Sequence, residues 1–198
     1  MKYNKMSRYK ACRNSIVTLE LLEDTKNNEK RYNVVNDKHA KFRCNKALVV
    51  NIVKVKTGEK MENDVSFYND EFKYRLGEVV KTGFYKNLNV VCAGGIHYFK
   101  TKKAALSWFY NQNNNYPDGK ITTWRENGQK LSEGTYKNGK QDGKWIYFTN
   151  DENIYAERTY KNGKRTYENE LTKCIYGVIA IVSIFVAISS FIVYNIDL

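Results

Sequence analysis

Apolar and polar positions recur with different periods along the chain. At 47–56, valine and isoleucine return at nearly every second residue, as in a buried strand. Residues 72–76 and 78–81 read as strands broken at Gly77, and 90–99 as an apolar strand interrupted at Gly94-Gly95. Thr101 is a helix cap, and the helix it starts runs to Tyr110 with Ala104, Ala105, Trp108 and Phe109 as its candidate buried positions. The Asn-rich stretch 111–115 is a linker closed by Pro117. Residues 16–22 and 32–35 suggest a strand pair across a polar turn at 26–30, and 1–13 is a basic terminus.

Residues 117–165 carry an internal repeat. Setting Asp118-Gly119-Lys120 on Asp142-Gly143-Lys144 gives a period of 24, and Thr-Tyr-Lys-Asn-Gly-Lys at 135–140 then falls on the same six residues at 159–164. Asn-Gly occurs at 127–128, 138–139 and 162–163, a dipeptide suited to tight hairpin turns. Strands at 121–126 and 131–136, then 145–148 and 154–160, form two hairpins, the second closed by a polar turn at 150–153. Trp124, Tyr136, Trp145, Tyr147 and Tyr160 are the candidate cross-strand and interaction residues. The fold class expected is mainly β (α+β), a β-rich module plus antiparallel hairpin repeats, followed by one transmembrane helix.

That last element is read from 175–194, twenty residues without a charge and rich in Ile, Val and Phe. A helix of about 20 residues spans the ~30 Å hydrocarbon core of a bilayer. Tyr176 and Tyr194 stand at its ends, where amphipathic rings favour headgroups, and Cys174 at the boundary is a candidate for lipidation. Lys161, Lys164, Arg165 and Lys173 precede the span and no cation follows, which places the N-terminal part in the cytosol. The expectation is a single-pass, tail-anchored protein of a host or virion membrane.

Composition changes this picture in two ways. The 33 Lys+Arg exceed the 21 Asp+Glu, a net charge of +12. This favours anionic partners such as lipid headgroups, with nucleic acid as a weaker alternative. Yet Lys outnumbers Arg 25 to 8, and Lys, Asn, Tyr and Ile, all with A/T-rich codons, make up 77 of the 198 residues; codon bias supplies part of the charge. The four cysteines lack metal-ligand spacing, so no metal and no cofactor are expected. Cys92 and His97 are the only pair suggesting a thiolate with its base. Five residues apart on one strand they would point to opposite faces unless Gly94-Gly95 bulges, and a non-enzymatic protein is the expectation.

Two resemblances follow. Gly119, Trp124, Asn127, Gly128, Leu131, Gly134, Tyr136, Asn138 and Gly139, with Gly143, Trp145, Tyr160, Asn162 and Gly163 in the second copy, resemble the MORN (membrane occupation and recognition nexus) repeats; Glu152 and Arg158 replace two of that family's glycines. The resemblance implies a scaffolding or recruitment module that binds a protein partner. Residues 42–47, 72–81 and 92–99 resemble a small domain of unknown function found in large DNA viruses and bacteriophages, which implies a giant-virus source and no established activity. The units expected are therefore a basic segment at 1–40, an α+β module at 41–110, a linker at 111–116, two repeats at 117–165, a juxtamembrane linker at 166–174, the span at 175–194 and a short tail at 195–198. The function expected is recruitment or scaffolding at a membrane face, with lipid bound through 175–194. The alternatives are a membrane-tethered binder of anionic lipid or nucleic acid, and a small enzyme using Cys92 and His97.

Overall fold

The basic N-terminal stretch is the middle of a sheet. In the computed structural model, which describes residues 6–170, Ser7–Ala11 (β1) and Ser15–Glu20 (β2) form an antiparallel hairpin with Tyr9 opposite Thr18 and Ala11 opposite Ile16. Lys41–Cys44 (β3), Lys46–Lys54 (β4), Val79–Lys81 (β7) and Ile96–Phe99 (β8) join them in one six-stranded sheet, in the order β3-β8-β1-β2-β4-β7. The described part of 1–40 is thus not separate from the module at 41–110, and β2 pairs with β1 and β4. Residues 32–35 form no strand; Tyr32 and Asn33 lie in a turn and Val35 in a bend. Arg8 is tolerated in β1 because Glu29, 21 residues away, receives its Nε at 2.7 Å and also accepts the Tyr98 hydroxyl at 2.8 Å.

Side-chain alternation gives the sheet two apolar faces. On one, Val17, Leu19, Phe42, Val49, Ile52, Ile96 and Tyr98 are buried with Tyr74. Tyr74 comes from a two-stranded ribbon of Asn63–Val65 (β5) and Lys73–Arg75 (β6). On the other face, Ala11, Ile16 and Phe99 meet Ala104, Ala105 and Phe109 of the helix Lys102–Asn113 (α1). Each fully buried aliphatic or aromatic side chain contributes roughly 1.5–3 kcal/mol. The Thr101 hydroxyl accepts the Ala104 amide at 3.3 Å, and the helix ends at Asn114 in the left-handed region, φ 48°. The helix therefore runs three residues beyond Tyr110, into the expected linker.

Gly119–Trp124 (β9), Lys130–Lys137 (β10), Lys140–Phe148 (β11), Ile154–Lys161 (β12) and Lys164–Glu170 (β13) form a second sheet in chain order. β13 occupies part of the stretch expected to be a juxtamembrane linker. The Asn-Gly dipeptides build two kinds of turn. At Asn138-Gly139 (φ 51°, 69°) and Asn162-Gly163 (φ 51°, 79°) both residues are left-handed, the two-residue turn that matches strand twist. At Asn127-Gly128 only Gly128 is left-handed, φ 89°, within a three-residue loop closed by Arg125 N–H to Gln129 O at 2.8 Å.

This third loop docks on the first sheet's unit. Asn127 O accepts the amides of Val35 and Asn36 at 3.0 and 3.2 Å, and Glu126 O accepts the Lys41 amide at 3.0 Å and Arg31 Nη2 at 2.7 Å. A Cβ on Gly128 would lie 1.9 Å from Asn36 O. Ser107 of α1 donates to Thr122 O at 2.9 Å, adding a second tie.

The membrane expectation is corrected. Among the described residues no helix is long and apolar enough to cross a membrane. α1, with 12 residues, rises about 18 Å against the ~30 Å required. The span expected at 175–194, with Tyr176, Tyr194 and Cys174, lies outside the described residues. The transmembrane part of the fold class, the tail-anchored single-pass localisation and the lipid partner assigned to 175–194 are withdrawn with it.

Candidate functional sites

The stretch 90–99 is strand only at Ile96–Phe99. The reason is a side chain. Arg43, fully buried on β3, donates through Nε to Val90 O at 2.8 Å, through Nη1 to Tyr85 O and Gly94 O at 2.8 and 3.1 Å, and through Nη2 to Asn87 O at 2.5 Å. Its guanidinium also lies 4.5 Å from the Phe84 ring centroid. Four carbonyls between 85 and 94 thus find a guanidinium instead of a neighbouring strand. Gly95 makes room: at φ 149°, a Cβ there would stand 3.1 Å from the Arg43 Cβ and 3.2 Å from Cys44 O. Gly95 is thus a packing device around Arg43, whereas Gly94 contributes its carbonyl.

This arrangement carries Cys92 and His97 to one cavity of about 320 Å³, shared with Lys10, Lys41, Ser66 and Trp108. The two do not form a nucleophile–base pair. The Cys92 thiol donates to Glu126 Oε1 at 2.7 Å, and Lys41 Nζ meets both the sulfur (3.4 Å) and that carboxylate (3.2 Å). Burial and the bond to Glu126 raise the Cys92 pKa, which favours the thiol over the thiolate. Burial would raise Glu126 as well, but the thiol and Lys41 outweigh it and hold Glu126 below its ordinary value. His97 Nε2 is 2.8 Å from Val91 O and donates to it in the neutral ring. Burial, then the Lys41 ammonium, lowers its pKa to about 4. A neutral thiol beside a carboxylate and a weakly basic imidazole tied to a carbonyl are poorly set for nucleophilic chemistry. Lys10, Lys41, Glu126 and Trp108 come from four elements distant in sequence, and no local pattern marks them.

Four of the five aromatic residues read from the repeat meet on one side of the second sheet. Tyr136 and Trp145 are edge to face with centroids 5.2 Å apart; Trp145 lies 6.3 Å from Tyr147 and 6.5 Å from Tyr160, and the Tyr147 and Tyr160 hydroxyls are 3.1 Å apart. Tyr116, from the expected linker, stacks on Tyr136 at 4.1 Å, and the Arg158 guanidinium stands 4.6 Å from the Tyr147 ring. Trp145 is buried because its indole lies across Gly134, where a Cβ would be 2.3 Å from the ring, and its N–H donates to Thr135 O at 3.2 Å. Trp124 is not in this group; it stacks on His39 at 4.1 Å with Lys103 above it. Between this sheet and α1 lies a second cavity of about 230 Å³, bounded by Ser107, Trp108, Trp124, Ser132, Tyr136 and Trp145.

The architecture is that of a mainly-β module in which a helix-backed six-stranded sheet carries a hairpin sheet. Comparison with known proteins places the first part: residues 2–105 match the family of unknown function DUF5758. The match takes in more than half of the 198 residues, and the chain belongs to that family. It is similar to "Uncharacterized protein L223" of Acanthamoeba polyphaga mimivirus, 32% identical over 71 residues, 34% of this chain and 46% of that protein. The match thus reaches less than half the length of this relative. No solved structure matches. The MORN assignment is corrected: the family found lies over 2–105 and is of unknown function, and the 24-residue period is described by its hairpin geometry alone.

Proposed function

We propose that the chain is a non-enzymatic binding module whose hairpin sheet takes up a partner protein on its aromatic side. The observation that carries this reading is the line Tyr136, Trp145, Tyr147, Tyr160, joined ring to ring and half-buried at all but Trp145. Among the described elements α1 packs on β9, whereas β11, β12 and β13 make their main contacts within the hairpin sheet, β11 with β10 as much as with β12. Rings held rigid by their neighbours lose little conformational entropy on contact, which is why tyrosine and tryptophan serve as interface anchors. The state of Cys92 and His97 supports the non-enzymatic half of the reading.

The test is a photo-crosslinking side chain placed at Tyr147 or at Lys144, expressed in the full chain in the cells that make it. Lys144 pairs with Glu157 at 2.8 Å, clear of the aromatic line. The expected result is a discrete protein adduct from position 147 and none from 144. Equal adducts at the two positions, or none at either, refute the proposal.

A further inference from the structure

The cavity beside Cys92 contains a cation without a counter-ion. Lys10 is 8% exposed and, among the described residues, has neither a carboxylate nor a hydrogen-bond acceptor for its ammonium. Arg8, two residues earlier on the same strand, shows the ordinary arrangement, with Glu29 against its guanidinium. Burying an ammonium is costly unless it is paired, and lysines near surfaces usually run their heads out to water. Lys10 instead ends at the cavity, its Nζ 5.9 Å from the Trp108 ring centroid. Lys41 Nζ is 5.8 Å from the same centroid. Two ammoniums therefore gather around one indole.

The charge balance of the cavity is positive. Lys41 and Lys10, whose pKa is lowered by burial and by Lys41, are the basic groups on its wall; Glu126, beside it, is one anion, and His97 is neutral at physiological pH. Glu126 is committed to Lys41 and to the Cys92 thiol, so it does not neutralise Lys10. The low pKa of His97 owes part of its fall to Lys41, Lys10 and Arg43, which is the same positive field acting on a different group. Ser66 adds a hydroxyl to the wall. At about 320 Å³ the space lies near the lower end of small-molecule sites.

We propose that this cavity binds a small molecule bearing a phosphate group, whose oxygens are held between Lys10 and Lys41. A tetrahedral oxyanion presents several acceptors at once, which suits two ammoniums and a hydroxyl better than a single carboxylate would. It supplies the counter-charge that the protein itself withholds from Lys10. Glu126 sets the strength: it competes for Lys41, and its charge opposes the ligand. This inference is independent of the partner surface on the hairpin sheet.

The experiment is calorimetric titration of the full chain with inorganic phosphate and with adenosine monophosphate, and flotation with phosphatidylcholine vesicles containing phosphatidic acid. The expected result is saturable binding of the two soluble probes. Binding should weaken about tenfold or more in Lys10→Met, as for a lost charge-assisted contact, and tighten in Glu126→Gln. Lys10→Met is expected to keep a native near-ultraviolet spectrum and a thermal midpoint no lower than the parent's, because it removes an unpaired buried charge. Lys10→Arg, which keeps the charge, should bind more tightly than Lys10→Met and is the control should Lys10→Met fail to fold. No binding of either soluble probe to the parent chain, unchanged binding in folded Lys10→Met, or binding to the vesicles alone would overturn the proposal.

Discussion

Gly128→Ala should unlock the junction between the two sheets, whereas Gly139→Ala should not. Both glycines are left-handed, φ 89° and 69°, so each substitution pays about 1–2 kcal/mol for placing a Cβ there. Around Gly139 nothing lies within 4 Å, and the cost stops there. At Gly128 the added carbon would sit 1.9 Å from Asn36 O, 2.8 Å from Asn36 C and 2.9 Å from Ala40 N. These are backbone atoms and cannot rotate aside. The loop must withdraw, which parts Asn127 O from the amides of Val35 and Asn36, and Glu126 O from the Lys41 amide and the Arg31 guanidinium. At a net ~1 kcal/mol for each of these bonds, Gly128→Ala totals roughly 5 kcal/mol. Urea denaturation of the full chain measures the difference, and hydrogen exchange locates it: the Val35, Asn36 and Lys41 amides should lose protection in Gly128→Ala only. Equal losses of stability in the two variants, or unchanged protection at those three amides, would refute the reasoning.

Three further outcomes are expected. Arg43→Lys should cost about 3 kcal/mol or more and speed hydrogen exchange across 85–95, because an ammonium cannot reach the four carbonyls that the guanidinium fork satisfies together. Gly134→Ala should destabilise by roughly 1–3 kcal/mol through displacement of the Trp145 indole, read as a shift in its fluorescence and a lower denaturation midpoint. Stability should fall as pH drops from about 6.5 towards 4: His97 has a folded pKa of about 4, below its ordinary 6.5, so in this window the unfolded chain takes up a proton that the native chain refuses. The loss is of order 2–3 kcal/mol, and His97→Gln should flatten that part of a pH series of urea midpoints.

Much of the second sheet was legible because its signal is local. The 24-residue period placed the hairpins, and four of the five aromatic residues chosen from it do share one side. The departures from the period have physical causes too. Gly128 must be glycine because of Asn36, whereas Glu152, 24 residues later, adopts φ 59° in a turn without that neighbour. Gly134 makes room for the Trp145 indole, which lies where a Cβ would be. The first sheet was harder to read. Arg8 and Lys10 disguise β1 as a basic tail, since what lets them lie in a strand is Glu29 in one case and a cavity in the other. Residues 90–95 are apolar enough for a strand, but Arg43 claims the Val90 and Gly94 carbonyls. Lys10 and Lys41 meet through the first sheet, and Glu126 joins them only when the second sheet docks, so no spacing in the chain announces the cluster. The tail-anchor expectation rested on composition at 175–194, and no described helix bears it out.

The docked loop bears on where this protein can be cut. A fragment ending at residue 105, the last position of the family match, would stop inside the first turn of α1 and take away Glu126 with its neighbours. Arg31 and the amides of Val35, Asn36 and Lys41 would then lose these partners, and Lys41 would lose the one acid paired with it among the described residues. Shared ancestry and structural contact draw their borders at different places here: the family match stops at 105, but the hydrogen bonds that complete this unit come from the first hairpin's loop.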